Sequence, residues 1–264
     1  EVLWSSTSAF DFSKDKIVTS VNIGDGYVYF RTPAVQQSGN AVIAVRDKDG
    51  VILWSWHLWS APDYNPEKGV DIINGITLMN RNLGSFAVSG SGVEVPGLMY
   101  QWGRKDPFPG YVGAASLPEV FGASECDPSS SLDFSIANPT VFIKSDKGWF
   151  DGEKDFWTSG KKSRYDPCPA GWRVPDAGTF SGDYYFNTTL NCVGLREDSS
   201  EPYVLFPIGG IISVDNGKVK SYHNEAAYWT SEVQAMYMNQ ENRSVDFGCD
   251  LVSSTGASVR CIKE

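Results

Sequence analysis

NAVIAVRDKDGVILWSWHLW, residues 40–59, contains two apolar runs separated by the polar turn sequence Asp47-Lys48-Asp49-Gly50. Strand-like runs that meet across an Asp/Gly turn are typical of a β-hairpin. Because side chains alternate between the two faces of a strand, every second residue from Ile52 lies on one face, which we expect to be buried. That face consists of Ile52, Trp54, Trp56 and Leu58, and the opposite, mixed face consists of Val51, Leu53, Ser55, His57 and Trp59. The closely spaced tryptophans also fit sugar stacking, so that alternative stays open.

The composition favours strands and loops over long helices. Aromatic residues make up 13% of the 264 residues and charged residues only 20%, whereas long solvated helices need many Lys and Glu side chains. The formal net charge is −10, so the surface should repel a phosphate backbone, and nucleic acid is not an expected partner. No segment approaches the roughly 18 consecutive apolar residues of a membrane-spanning helix.

A connector in residues 61–70 separates two regions, because two prolines and a glycine prevent a continuous helix or central strand there. We therefore divide the chain into a β-rich segment, residues 1–70, and an α+β region with long loops, residues 71–264. In the second region, residues 97–102 are predicted to be helical and residues 105–140 irregular. Short strands are expected at residues 76–79, 204–208, 227–231, 235–238 and 257–262.

Five short sequence motifs follow one another within residues 72–264. They are Met79-Asn80-Arg81-Asn82-Leu83-Gly84, GLMYQWGRKDPF (residues 97–108), DPCPAGWRVP (residues 166–175), Tyr228-Trp229-Thr230-Ser231 and Ser258-Val259-Arg260-Cys261. In this order they resemble the Fibrobacter succinogenes major paralogous domain family and related Bacteroides-type surface proteins, some of them fimbrial tip-like adhesins. The hairpin of residues 40–59 also resembles the segment that often precedes this domain in Bacteroides proteins.

The resemblance implies a C-type-lectin-like fold for residues 71–264, with a small antiparallel sheet, one or two helices and a long loop region. The expected fold class is therefore a β-rich α+β chain in which this domain is preceded by an antiparallel β segment. The resemblance also implies an extracellular protein on the outer cell surface, with any lipid anchor carried by a segment outside this sequence.

Five cysteines allow up to two disulfides and one free thiol, or five buried reduced thiols. The resemblance places Cys168 beside Cys261 of the last strand, and an oxidised pair would close a long loop. Cys192 and Cys249 both fall in the expected loop region and could form a second pair, which leaves Cys126 over. No Cys-x-x-Cys pair occurs and the chain has two histidines, so neither a metal nor a cofactor is expected.

The Gly-Trp-Arg-Val-Pro turn within residues 166–175 has a structural interpretation. Trp172 covers the edge of the sheet, and the planar fork of Arg173 binds loop carbonyls or a carboxylate. Pro175 is expected to begin a helix at its first turn. Arg104 and Asp106 are also interpreted as structural, with a contact between them inside one loop.

Catalytic signatures are weak, and we do not expect an enzyme. The Gly-x-Ser-x-Gly elbow, phosphate loops and dinucleotide fingerprints do not occur. Glu153 and Asp155 could suit a glycosidase, but such pairs arise by chance among 32 acidic residues. C-type lectins that bind sugar through calcium use Glu-Pro-Asn or Gln-Pro-Asp. The nearest triplet here is Glu201-Pro202-Tyr203, which has Tyr where calcium needs an amide or carboxylate oxygen, so a calcium site is not expected. His57 is interpreted as a hydrogen-bonded structural residue.

The expected function is an extracellular adhesion or ligand-binding module whose partner is a glycan, a host surface protein or a pilus subunit. One alternative is a purely structural pilus or cell-envelope subunit, which an exposed edge strand in residues 1–35 would favour. The other is a glycan-active enzyme. Candidate ligand contacts come from the expected loop region, because Tyr and Asn suit sugar stacking and protein interfaces. They are Tyr184, Tyr185, Tyr222, His223, Asn224, Tyr237 and Asn239.

Overall fold

The structure is a computed structural model that describes residues 1–8, 11–14, 16–65, 68–87, 96–110, 120–151 and 155–264. Strands dominate the described residues, which contain one α-helix, α1 (Ser131–Ala137), directly after a 3-10 turn (Pro128–Ser130). The strands of the first 73 residues are β1 (Val2–Ser6), β2 (Phe12–Ser13), β3 (Ser20–Gly24), β4 (Tyr27–Arg31), β5 (Gly39–Arg46), β6 (Ile52–Ser60) and β7 (Val70–Ile73).

The later strands follow in chain order and are mostly short. They are β8 (Ile76–Met79), β9 (Leu98–Gln101), β10 (Phe108–Pro109), β11 (Gly122–Ser124), β12 (Val141–Ile143), β13 (Trp172–Arg173), β14 (Asp183–Asn187), β15 (Cys192–Arg196), β16 (Val204–Pro207), β17 (Ile211–Ile212), β18 (Val219–Lys220), β19 (Glu225–Trp229), β20 (Gln234–Asn239), β21 (Ser244–Asp250), β22 (Gly256–Ser258) and β23 (Ile262–Lys263). Nearly all pairings are antiparallel, so the prediction of a β-rich chain is confirmed.

The hairpin predicted for residues 40–59 is formed by β5 and β6, which pair antiparallel along their length. Asp47 shapes the turn, because its carboxylate accepts hydrogen bonds from the backbone N–H groups of Asp49 (2.9 Å) and Val51 (2.8 Å). The two strands belong to a four-stranded sheet of order β2-β1-β5-β6, in which β6 lies at the edge.

The predicted burial of one face of β6 is wrong for most of the strand, because β6 contains a bulge. The pairing register with β5 shifts at Leu53, which has no partner residue. One extra residue moves every later side chain to the opposite face. Ile52 and Ser55 are consequently both buried, whereas Trp54 is half-buried and Trp56 is exposed.

Strands β3 and β4 form a separate two-stranded ribbon joined by Asp25 and Gly26. Both residues have positive φ angles (51° and 80°), as the preferred two-residue hairpin turn requires. Apolar side chains fill the space between this ribbon and the four-stranded sheet. They are Ile17, Val18, Ala41 and Ile43, with Val21, Val28 and Leu58 packed against them.

Residues 97–102, predicted to be helical, instead contain strand β9. This strand lies in an eight-stranded sheet of order β10-β9-β22-β19-β20-β21, with β17 and β18 attached at β22. All four residues of β9 are buried, and β10 and β22 pair with it on its two sides. A strand buried on both faces is a continuous apolar run, which periodicity alone does not separate from a buried helix.

The segment of residues 105–140 is more regular than predicted. It contains β10, β11 and α1, and β11 pairs in parallel with β12 just beyond it. Residues 111–119 of this segment lie outside the described residues. The other sheets have the orders β13-β23-β8-β7 and β14-β15-β16.

The helix predicted to begin at Pro175 is not formed. The Asp176 carboxylate, which would suit a helix N-terminus, is taken up by other donors. Both terminal nitrogens of the Arg173 guanidinium donate to it, at 2.7 Å and 2.6 Å, and the backbone N–H of Gly160 donates to it at 3.0 Å. The predicted Arg173–carboxylate contact is therefore present, and it stabilises a loop.

A single apolar cluster joins residues 1–70 to residues 71–264. It contains Trp4, Val42 and Ile52 from the first region and Tyr100, Phe142 and Trp229 from the second. The contact is direct, since the ring centroids of Trp4 and Phe121 are 5.5 Å apart. The four-stranded sheet therefore packs on the rest of the chain through a shared core.

The Cys168–Cys261 pair implied by the family resemblance is a disulfide in the structure, with Cα atoms 5.9 Å apart. The second expected pair is not formed, because Cys192 and Cys249 are both free. Cys192 begins β15 in the three-stranded sheet, whereas Cys249 lies in β21 of the eight-stranded sheet, so the two thiols belong to different sheets. Cys126 is also free.

Candidate functional site

The seven candidate ligand contacts divide between two surface areas. Tyr184 and Tyr185 lie on β14, an edge strand, and both are exposed. The Tyr185 ring packs on Tyr203 at a centroid distance of 4.4 Å, and the Tyr184 ring lies 6.2 Å from that of Phe247. These two tyrosines therefore already pack against neighbouring side chains.

The other five candidates gather at one end of β19 and β20. Tyr222, His223 and Asn224 precede β19, and the first two rings are stacked with centroids 4.0 Å apart. Tyr237 and Asn239 are two residues apart on β20 and so share a face. None of the seven candidates lines either of the two cavities described next.

A groove of about 520 Å³ lies between edge strand β6 and residues 164–168, and we call it the Trp54 groove. It is lined by Trp54, Ser55, Trp56, His57, Lys105, Arg164, Asp166, Pro167 and Cys168. A second cavity of about 480 Å³ shares His57, Pro167 and Cys168 and extends to Phe30 of the β3–β4 ribbon. Both volumes are in the usual range of small-molecule sites, and the disulfide fixes the wall between them.

Two cations contact the indole of Trp54. The Arg164 Cζ atom lies 4.5 Å from the ring centroid, and the Lys105 Nζ atom lies 4.6 Å from it. Arg164 also lies 5.4 Å from the centroid of Tyr165. A guanidinium that stacks on an aromatic ring uses its flat face, so its N–H donors along the edge stay available to a ligand.

The charge of Lys105 is balanced inside the wall of the groove. Its Nζ atom donates to both carboxylate oxygens of Asp106, at 2.9 Å each, and to the Ser55 hydroxyl, which itself donates to Asp106 at 2.6 Å. The predicted contact between Arg104 and Asp106 is wrong. Arg104 instead donates to the Gln101 side chain at 2.8 Å and to backbone carbonyls at the end of α1.

The negative charge of Asp166 is also compensated, and its hydrogen bonds stabilise the wall of the groove formed by residues 164–168. Its carboxylate accepts hydrogen bonds, each of 2.8 Å, from the backbone N–H groups of Cys168 and Val174 and from Lys162 Nζ. Arg164 is exposed and makes no hydrogen bond or ion pair with another described residue. The described part of the groove therefore presents one uncompensated positive charge, in a chain whose net charge is −10.

His57 links the groove to the core through hydrogen bonds. Its Nε2 atom lies 2.9 Å from Asn40 Oδ1, and its Nδ1 atom lies 3.1 Å from the Tyr100 hydroxyl. The Asn40 amide nitrogen donates to the Gly84 carbonyl, so the Asn40 oxygen is an acceptor and His57 Nε2 carries the proton. Burial lowers the pKa of His57 to about 3, so the ring is neutral at pH 7.

We expect the free energy of unfolding to fall as the pH drops from about 6.5 toward 3, with His57 causing part of the loss. The unfolded imidazole takes up a proton near pH 6.5, whereas the folded site resists protonation until about pH 3. Because the ring is partly accessible to water, we expect His57 to contribute about 1–2 kcal/mol between pH 6.5 and 4.5. Urea unfolding over this pH range measures the effect.

The variant His57→Gln should flatten this pH dependence by the same amount, since glutamine keeps a donor and an acceptor but does not titrate. His223→Gln is the matched control, because His223 is the second histidine of the chain and burial lowers its pKa in the same direction but without the large shift of His57. A pH dependence that His57→Gln leaves unchanged would contradict the assignment.

Sequence reasoning did not identify Lys105 and Arg164 as site residues. Both are distant in the sequence from Trp54 and meet it only through the tertiary fold. The signal that could have found the groove is the Trp-x-Trp pair of β6. The alternation of the sequence predicts that this pair is buried, because the bulge at Leu53 is not visible in it.

Glu153, one of the two carboxylates that could suit a glycosidase, lies outside the described residues. Within the described ranges, no three His, Cys, Asp or Glu side chains are grouped so that they could hold a metal ion. None of the helices in that part of the chain has the length and apolar character needed to cross a membrane. Comparison of the chain with protein-family models, curated proteins and solved structures finds no match.

Proposed function

We propose that this chain is an extracellular ligand-binding module of the adhesion type and that the Trp54 groove binds a glycan. The observation that carries the proposal is Trp56, which is 37% exposed and lines a cavity of about 520 Å³ together with Trp54 and Arg164. The negative face of an aromatic ring attracts the C–H groups of a sugar ring. Concave sites that combine aromatic side chains with a few polar groups are typical of small-ligand recognition.

The Cys168–Cys261 disulfide supports two further parts of the proposal. Disulfides persist in oxidising compartments, which favours a location on the outer cell surface. The same pair is implied by the resemblance to C-type-lectin-like surface domains. We therefore assign that fold to residues 71–264, and the antiparallel sheet around β9, β22 and β19 is compatible with it.

The bonding of the groove carboxylates favours binding over catalysis. Asp106 is bonded to Lys105 and Ser55, and Asp166 is bonded to Lys162 and two backbone N–H groups. A glycosidase needs one carboxyl group that is free to donate a proton and a second that is free to attack or to activate water. Carboxylates held in this way position the walls of a binding site.

Trp56→Ala is expected to weaken glycan binding by about 10- to 100-fold, because truncating a central tryptophan of an interface commonly costs 2 kcal/mol or more. A glycan array screened with the purified protein identifies the glycan, and calorimetry then gives the Kd of each variant. Leu53→Ala is the matched control, since Leu53 is exposed on the same strand but does not line the groove.

Binding should be the same in calcium and in chelator, because the groove carboxylates are already bonded to cations and to backbone donors. Equal weakening by Trp56→Ala and Leu53→Ala would place the site elsewhere. Loss of binding in chelator would contradict the proposed mode of recognition.

A second candidate function is that of a structural pilus or envelope subunit, which one observation favours. In the described structure, β3 and β4 pair only with each other, so the ribbon has unpaired edges within residues 1–35. The ribbon also exposes Ile23, Tyr27, Tyr29 and Phe30. Unpaired edges with apolar side chains are templates for strand addition by another chain. Absence of any hit on the glycan array would favour this candidate.

A further inference from the structure

We infer that the ligand of the Trp54 groove is an acidic glycan, one that carries a carboxylate or a sulfate group. The inference rests on the proposed glycan-binding function and names the class of glycan. Arg164 binds the acidic group, and the indole of Trp56 packs against a sugar ring.

The geometry of Arg164 suits an anion. Its guanidinium lies over Trp54 and near Tyr165, with Cζ 4.5 Å and 5.4 Å from the two ring centroids. The contact with Trp54 keeps the guanidinium at the groove, and the residue is exposed to a ligand. Because contacts with two aromatic rings restrict the side chain, less conformational entropy is lost when a ligand binds. The fork of N–H donors matches the two oxygens of a carboxylate or a sulfate.

The charges around Arg164 leave it as the recognition group for an anion. Lys105 is bonded to Asp106, and Asp166 to Lys162. His57 is neutral because burial lowers its pKa to about 3. The positive charge of Arg164 therefore stands alone among the described groove residues, on a protein that otherwise repels anions. A neutral ligand would leave these donors without a charged partner.

A cyclic ligand fits the groove better than an acidic peptide. The two recognition groups are side chains, Trp56 of β6 and Arg164 of residues 164–168, and both line one cavity of about 520 Å³. A peptide added along edge strand β6 would be bound mainly through main-chain hydrogen bonds, whereas the groove offers an exposed indole and a guanidinium. A sugar ring with an acidic substituent meets both side chains at once.

The test compares matched acidic and neutral ligands by calorimetry on the intact protein. Galacturonic acid oligomers are compared with their methyl esters, and sulfated galactose oligomers with their unsulfated counterparts. Wild type should bind at least one acidic form about tenfold or more tightly than its neutral partner, as expected for a charge-assisted bidentate contact. A preference within the galacturonic acid pair identifies a carboxylate as the recognised group, and a preference within the sulfated pair identifies a sulfate.

Arg164→Gln should abolish the preference for the acidic form, whereas Trp56→Ala should weaken binding of both forms and keep the preference. Arg31→Gln is the matched control, because Arg31 is an exposed arginine at the end of β4 outside the groove. Equal affinity for acidic and neutral forms, or a preference that survives Arg164→Gln, would overturn the inference while glycan binding stands. Failure of every glycan would overturn both proposals, and so would binding of acidic peptides alone.

Discussion

Replacement of Cys168 and Cys261 together by alanine is expected to lower the free energy of unfolding by about 4 kcal/mol, since a cross-link of this span removes roughly 4–5 kcal/mol of chain entropy from the unfolded state. The two cysteines are 93 residues apart in the sequence, and both are buried. For a chain of this size, the loss corresponds to a fall in Tm of roughly 10 °C. Urea and thermal unfolding of the oxidised wild type and the double variant measure both quantities.

Cys126→Ala is the matched control for the disulfide, because Cys126 is a free, half-buried cysteine and its replacement should change stability by less than about 1 kcal/mol. The double variant also removes the link between β22–β23 and the groove wall, since Cys168 lines both cavities. Stability of the double variant within about 1 kcal/mol of wild type would show that the cross-link does not constrain the unfolded chain as this loop length implies.

The hairpin of residues 40–59 shows what the sequence predicts and where it fails. The turn chemistry of Asp47 and the two apolar runs suffice to place β5 and β6, because both signals are local. The orientation of Trp54 and Trp56 depends on the bulge at Leu53, which is set by pairing with β5 and by the packing of both faces. A period-two pattern carries no information about one inserted residue.

The prediction of a helix at residues 97–102, where the structure has strand β9, is wrong for a related reason. Its four residues are apolar or uncharged and all are buried, so the sequence shows no alternation from which to choose strand over helix. The pairing partner β22 lies near the C-terminus, and this long-range contact decides the conformation. Disulfide pairing was predictable for Cys168 and Cys261 only through the family resemblance, since spacing alone leaves the connectivity open.

The candidate site was the least predictable part of the molecule. Residue type alone points to exposed tyrosines, whereas a groove needs side chains from separate segments to converge. Trp54 comes from an edge strand, Lys105 from a turn after β9 and Arg164 from a loop before the disulfide. The charge balance that leaves Arg164 uncompensated depends on the contacts of Lys105 and Asp166. Neither convergence nor charge balance is encoded in local sequence patterns.

Arg260 is the buried group whose removal should cost most after the disulfide. It lies between β22 and β23, which belong to different sheets, so the expected strand of residues 257–262 is broken there. Its Nε atom donates to the Asn82 side chain at 2.9 Å, and its two terminal nitrogens donate to the carbonyls of Met79 (3.2 Å) and Leu205 (3.1 Å). Asp71, 3.7 Å away, supplies the nearest negative charge.

Arg260→Met is expected to destabilise the protein by about 3–5 kcal/mol, because it leaves several buried acceptors unsatisfied and Asp71 without its cation. Burial lowers the pKa of Arg260, but the guanidinium keeps its charge at neutral pH. Urea unfolding measures the loss, and Arg31→Met, an exposed arginine, should change stability by less than about 0.5 kcal/mol.

Arg260→Lys separates the charge of Arg260 from its geometry. Lysine retains the positive charge but lacks the planar fork that reaches three acceptors on two segments, so the stability of this variant should fall between those of wild type and Arg260→Met. This variant also provides the measurement if Arg260→Met does not fold. Equal stability of Arg260→Lys and wild type would mean that one charge near Asp71 suffices. It would also mean that the contacts to Asn82, Met79 and Leu205 add little to the stability.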